Sequence, residues 1–486
     1  MRNFFLIFFI WEIAGNPAVS QNSFNLIYDL NNYLDIAQTS CEWDTGYILI
    51  STAKDMTIEN GSLRITKTDF EGNFLKELVF DKFDTTYSFQ KVLRSGANNF
   101  IACGVMASYN IPNFSYDVNY YIIKFNKNLD TVLTKQFGFG IGTEAPESFT
   151  IANNGDIVIV GGDQTDSFSN TAPIIIRLDS NGNYKWHQYY DNGNSYTYFS
   201  GICKLGNGDF AVTGRKSVSG DEDLWVVRID SIGQVVWQQT YGVNNIDERG
   251  DDIILLSDSA LFITAHTNTQ AYFVKVEKDT GNLIYAKEIG DGGLDWPQRS
   301  FELPNGKIMS GGWTQAPGGN EDAWLIELDH TTGDSLWSQH YCTKGFGNAS
   351  DDYAWDMLAC SDGGFLLSGS SQGPYSSEQD AWVLKVDSLG NVDSTVCYPW
   401  LFDGVQEIHS DKSVSIYPNP ASDQLNIESS QPISSIIIHD LLGREIFSKE
   451  FNSAQCQLNI ANWNSGVYLV KIITDEGGVV KKIVVE

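Results

Sequence analysis

Acidic residues stand in groups at three related places along the chain: Glu144 and Glu147, Asp251 and Asp252, then Asp351, Asp352 and Asp356. Carboxylates grouped in this way could coordinate Ca²⁺ or accept hydrogen bonds from sugar hydroxyls, and paired carboxylates are what glycoside hydrolysis requires. The same positions also suit turn initiation, because Asp bonds nearby backbone amides through its side chain without any ligand. A further set, Asp223, Asp322 and Asp380, falls two residues before Trp225, Trp324 and Trp382 and reads as turn-forming. No other residue types gather into a catalytic pattern. The six His form no HExxH and do not cluster with the Cys, so zinc has no support. Seven Cys leave at least one unpaired, and without CxxC or short regular spacing they read as mostly free, buried thiols.

What positions the acids is a repeat. The stretch from Gly208 to Gly242 contains three short runs rich in β-branched and aromatic residues, Asp209 to Thr213, Leu224 to Ile229 and Val235 to Tyr241, separated by Gly, Ser and Asp. With Ser200 to Lys204 ahead of them they make four antiparallel strands, one blade of a propeller. The second strand recurs as GYILIST (46–52), NNFIACG (98–104), GDIVIVG (155–161), GDFAVTG (208–214), SALFITA (259–265), GKIMSGG (306–312) and GGFLLSG (363–369), at intervals of 47 to 57 residues. A second anchor keeps the same phase: Asp69, Asn126, Asp179, Asp230, Glu277, Asp329 and Asp387 each end a third strand and open a Gly- or Asn-containing turn. Two anchors in one phase predict seven blades. On such a ring the acidic groups fall just before the innermost strands and recur around one face. Trp225, Trp324 and Trp382 occupy matching places and are expected to fill the wedge between blades. Phe24 to Tyr28 resembles a fourth strand and could close the ring from the N-terminus, a position for which Val392 to Tyr398 competes.

Composition narrows the partners. The net charge is −30, of which residues 413–486 hold only −3, so the acidity belongs to the repeats. Long-range repulsion argues against nucleic acid or an anionic membrane as partner, and solubility outside the cell accounts for the bias. Arg2, the apolar run Phe4 to Trp11 and Ala18-Val19-Ser20 follow the order of an export signal cleaved near Ser20. No later stretch is long enough for a membrane-spanning helix. The expected layout is a signal peptide at 1–20, a propeller at 21–403, a linker at 404–412 and a second domain at 413–486.

The best repeat copies, DDYAWDMLACSDGGFLLSGSS from Asp351 and DAWVLKVDSLGN from Asp380, resemble a bacterial secreted propeller repeat, which implies the fold without an activity. DTGNLIY (279–285) and TTGDSLW (331–337) look like the turn of quinoprotein repeats, but only two copies show it, and sialidase-type Asp boxes are absent. From Ser413 the pattern changes to alternating strands with turns at Pro418-Asn419-Pro420, Leu442-Gly443-Arg444 and Ser465-Gly466-Val467, suggesting a small Ig-like β-sandwich. This segment resembles the type A C-terminal sorting domain of the type IX secretion system. The matching positions are Tyr417, Pro418, Asn419, Pro420, Gly443, Arg444, Gly466, Tyr468, Lys481 and Lys482. The resemblance implies the type IX machinery as partner and passage across the outer membrane. The sequence thus reads as all-β: a seven-bladed β-propeller, then a sandwich that addresses it to the cell surface or medium. Its function reads as binding or adhesion to an extracellular glycan or protein, with no catalytic residue assigned and no cofactor except Ca²⁺, for which Asp251, Asp252, Asp351, Asp352 and Asp356 are the candidates. An extracellular polysaccharide-degrading enzyme on the same scaffold is the alternative.

Overall fold

Seven four-stranded antiparallel sheets follow one another along the chain. The computed structural model describes residues 23–485 apart from 29–33, 56–59, 83–84, 111–114, 140–143, 165–170, 192–196, 219, 244, 291–292, 316–319, 344–350, 373–378, 393–413, 441–444, 462, 464–465 and 475–476. The leader, the linker and most of Val392 to Tyr398 therefore lie outside the described residues. Each blade begins with its innermost strand, in order Leu34–Trp43, Thr85–Arg94, Glu144–Ile151, Tyr198–Lys204, Arg249–Leu255, Asp295–Glu302 and Asp352–Ala359. The second and third strands are covered on both faces by neighbouring blades, so they are apolar almost without alternation, as in Ile157–Gln164. The fourth strands are far more exposed, as in Val235–Tyr241. Trp225, Trp324 and Trp382 are buried between sheets as the sequence predicts.

The ring closes through the N-terminus. Phe24–Tyr28 pairs antiparallel with Asp380–Val386 as the outermost strand of blade 7, with Trp382 Nε1 donating to Asn25 Oδ1 at 2.6 Å. The chain ends of the ring meet again where Ser361 N donates to Glu42 Oε2 at 2.7 Å.

The turn between third and fourth strands has a chemical cause. Asp69, Asp179, Asp230 and Asp387 each accept, through Oδ1, the backbone N–H groups two and four residues on, at 2.7–3.0 Å. A Gly at positive φ then completes the turn, as at Gly233 with φ 89°. Blade 2 has Leu129 there instead, at φ 62°. These turns are also sockets for the blade before: a Cβ at Gly233 would lie 2.9 Å from Trp186, and one at Gly281 would lie 2.8 Å from Trp237. The turn of blade 1 receives Leu26 and Phe24 from the closing strand.

Asp223, Asp322 and Asp380 are not turn residues. They lie in the third strands, opposite Lys216, Thr314 and Ser371, because the ladder continues past the Trp by two residues.

The C-terminal unit has its own core, with Leu425, Ile427, Ile436, Ile438, Val470, Ile472 and Ile483 fully buried. Its five strands form one pairing pattern rather than two Ig-like sheets: the long strand Gln424–Asp440 pairs Val414–Tyr417, Glu445–Asn459 and Gly466–Thr474 in turn. A 17-residue strand that changes partners lets a single sheet wrap its own core, giving a sandwich-like domain.

Candidate functional site

Every innermost strand carries a β-bulge against its second strand, and the bulges fall in one phase. The extra residues are Gln38, Gln90, Glu147, Ser200, Asp251, Gln298 and Trp355. A bulge places two successive side chains on the same side of a strand. In a propeller the free side of the innermost strand is the axis. All seven extra residues accordingly line one central cavity of about 270 Å³, together with Ile36, Ser88, Phe89, Tyr198 and Arg299.

The residues that follow the bulges build a second, buried layer: Thr39, Lys91, Ser148, Gly201, Asp252, Arg299 and Asp356. Arg299 organises it. Its Nε donates to Asp356 at 2.9 Å, its Nη1 to Asp252 at 3.5 Å, and its Nη2 to the backbone carbonyl of Gln90 at 3.3 Å. That last bond runs from blade 6 to blade 2, so the guanidinium spans the axis. Asp356 also accepts from Thr39 Oγ1 at 2.6 Å. Lys91 sits in this layer with its pKa lowered by burial first and by Arg299 next, against the pull of Asp252 and Asp356.

The cavity ring differs from the layer beneath in what its polar groups bond to. Gln38 is committed to blade 2, donating to Ser88 Oγ at 3.1 Å and accepting from Phe89 N at 2.6 Å. Asp251 pairs with His266 Nδ1 at 2.7 Å. The side chains of Gln90, Glu147 and Gln298 have no hydrogen-bond partner among the described residues. Burial pushes the Glu147 carboxyl up to about 7, with Arg215 opposing the rise and Asp251 adding to it. Phe89, Tyr198 and Trp355 are the aromatic side chains that line the cavity. Trp355 stacks on Tyr353 at 5.0 Å and 16°, and outside the lining Trp313, Trp296 and His266 continue the series at centroid spacings of 5.3, 4.6 and 4.8 Å.

The acids singled out by the sequence therefore do not form one site. Asp251 faces the cavity. Asp252 and Asp356 are neutralised by Arg299 beneath it, and all three lie within innermost strands rather than ahead of them. Asp351 and Asp352 lie at the start of blade 7, beside Glu321 and Asp322. Asp352 accepts from Thr343 N at 3.0 Å and Thr343 Oγ1 at 2.9 Å, while burial, with Asp352 and Asp351 nearby, pushes Asp322 up to about 7. Oxygens of Asp322 and Asp352 come within 4.8 Å of the Cys342 sulfur, but that sulfur is in a disulfide and offers no thiolate to a metal. Cys41, Cys103, Cys203, Cys360 and Cys456 are free thiols, as expected, and Cys342 is the exception. The Gln, Ser and Trp of the ring were not singled out from the sequence. The signal for them was phase, since they recur one per repeat, whereas selection by residue type favours the charged neighbours.

In the C-terminal unit the landmarks that are distant in sequence meet. Asn419 Oδ1 accepts from Val484 N at 2.8 Å, and Asn419 Nδ2 donates to the Lys482 carbonyl at 3.1 Å, so the Tyr417–Pro420 segment is clipped to the final strand. Tyr417 donates to Glu428 at 2.6 Å, Tyr468 packs on Trp463 at 5.1 Å, Lys482 is exposed and Lys481 is half-buried. Gly466 opens a strand, and Gly443 and Arg444 lie outside the described residues.

Comparison with known proteins defines the class first. Residues 415–486 match the secretion system C-terminal sorting domain family. The molecule is a seven-bladed β-propeller followed by a C-terminal domain of that sorting family. Among the described residues no helix is long and apolar enough to cross a membrane.

Particular relatives cover the chain unevenly. An endo-acting ulvan lyase of Formosa agariphila is 28% identical over 177 residues, 33% of this chain and 30% of the relative, so the chain spans about a third of that protein's length. Among solved structures, a protein of unknown function from Dyadobacter fermentans matches with a TM-score of 0.46 at 11% identity, over 62% of this chain and 94% of its own. PorZ of Porphyromonas gingivalis, a surface component of the type-IX secretion system, matches at 0.33 and 9%, over 94% and 100%. Neither carries a functional argument.

Proposed function

We propose that this protein is an exported glycan-binding module that holds its ligand in the central cavity. The supporting observation is the pairing of Trp355, which lines the cavity with its ring stacked on Tyr353, with three polar side chains, Gln90, Glu147 and Gln298, that have no hydrogen-bond partner among the described residues. Sugars present apolar ring faces and hydroxyls that both donate and accept, and side-chain amides match the hydroxyls in both roles. The purified protein, applied to an array of extracellular polysaccharides with and without Ca²⁺, should bind some of them and release no new chain ends. Loss of binding without Ca²⁺ would assign the carboxylates that line the cavity, Glu147 and Asp251, to an ion.

A second reading, a polysaccharide-degrading enzyme at the same cavity, draws on Glu147. A carboxyl that holds its proton to about pH 7, with a second carboxyl, Asp251, lining the same cavity, is suited to general acid catalysis. The partial likeness to an endo-acting ulvan lyase favours the same reading. Release of sugar ends in the array, abolished by Glu147→Gln, would replace binding by catalysis.

A further inference from the structure

We infer that the cavity takes the terminal unit of a neutral glycan chain, one sugar ring entering end-on, an inference that rests on the glycan-binding reading. Among the described residues all seven innermost strands contribute to the cavity wall, leaving no lateral slot between blades through which a polymer could pass. Beneath it, Arg299 reaches from blade 6 to the backbone of blade 2 and holds Asp252 and Asp356, while Thr39 of blade 1 bonds Asp356. These groups are nine-tenths buried or more and close the axis.

Size and charge narrow the occupant. A volume of about 270 Å³ lies at the lower limit of small-molecule sites, room for one small cyclic ligand rather than an extended chain. Of the cations near the cavity, Arg299 is committed to two carboxylates and Arg215 to Glu222 at 2.9 Å, while Lys91 lies in the buried layer beneath, where burial disfavours its charge. An anionic sugar would meet Asp251 and the −30 charge of the whole chain, so a neutral one is favoured.

The test compares linear oligosaccharides of increasing length with cyclic oligosaccharides of the same units, which have no ends, using the intact purified protein and calorimetry. Affinity per chain should level off within the first two units, cyclic ligands should bind at least tenfold more weakly, and the free monosaccharide should compete. Trp355→Ala and the milder Gln298→Ala should each weaken binding about tenfold, the latter with an unchanged melting curve. Equal binding of cyclic and linear ligands, still sensitive to Gln298→Ala, would overturn end recognition and leave glycan binding standing. No binding of any glycan would overturn both.

Discussion

Arg299 is the residue on which the axis of the ring depends. It is one guanidinium serving two buried carboxylates and a carbonyl across the channel, in a layer where burial and Arg299 disfavour the charged form of Lys91. Removing one member of a buried ionic set costs about 3–5 kcal/mol, because the partners are left charged and desolvated. Arg299→Met should therefore lower stability by about that amount in urea unfolding, and adding Asp252→Asn with Asp356→Asn should restore part of it. The contrast is Arg64→Met, whose bridge to Glu77 is partly solvated and is worth about 0–1 kcal/mol. At this scale the sequence is a poor guide. Asp252 and Asp356 are visible as acids, but their partner arrives from another repeat, and nothing local distinguishes a carboxylate held by Arg299 from one free to bind an ion.

Elements were far more legible than sites, and the reason is burial. Second and third strands are covered on both faces, so each repeat shows an apolar run bounded by Gly and Asp, and seven such runs identify seven blades. Innermost strands carry the bulges, and a bulge leaves no signature in composition. In the C-terminal unit alternation marks the strands but not their partners, since it fits any sheet with one buried face, and the pairing is that of one sheet rather than two Ig-like ones. Among elements, the closing strand Phe24–Tyr28 bears most on integrity. It completes blade 7, supplies Asn25 to Trp382, and places Leu26 and Phe24 on the turn of blade 1. Without it, blade 7 exposes the edge of Asp380–Val386 and the ring loses its hydrogen-bonded seam. Deleting residues 23–28 should lower the melting temperature of the whole propeller in one cooperative step. An unchanged melting curve would mean that the seam is sealed elsewhere.

For the whole molecule, the two units divide folding from delivery. Residues 1–400 and 401–486 separate as compact bodies, and the second has a complete apolar core, including Leu425, Ile436, Val470 and Ile483. The propeller is sealed by its own N-terminal strand and so does not need the C-terminal unit to close. The clip between Asn419 and the final strand in turn uses residues of that unit alone. A chain ended at residue 412 should keep the melting temperature of the propeller within about 1 °C, roughly the shift expected for 1 kcal/mol in a body of this size. The same chain, lacking the sorting domain, should remain inside the outer membrane when cells are fractionated. Restoring residues 413–486 with Asn419→Ala separates the two roles: the propeller melt should be unaffected, while export should fall if the clip to the final strand is what presents the sorting surface. Export of the 412-residue chain at normal levels would place the address in the propeller instead.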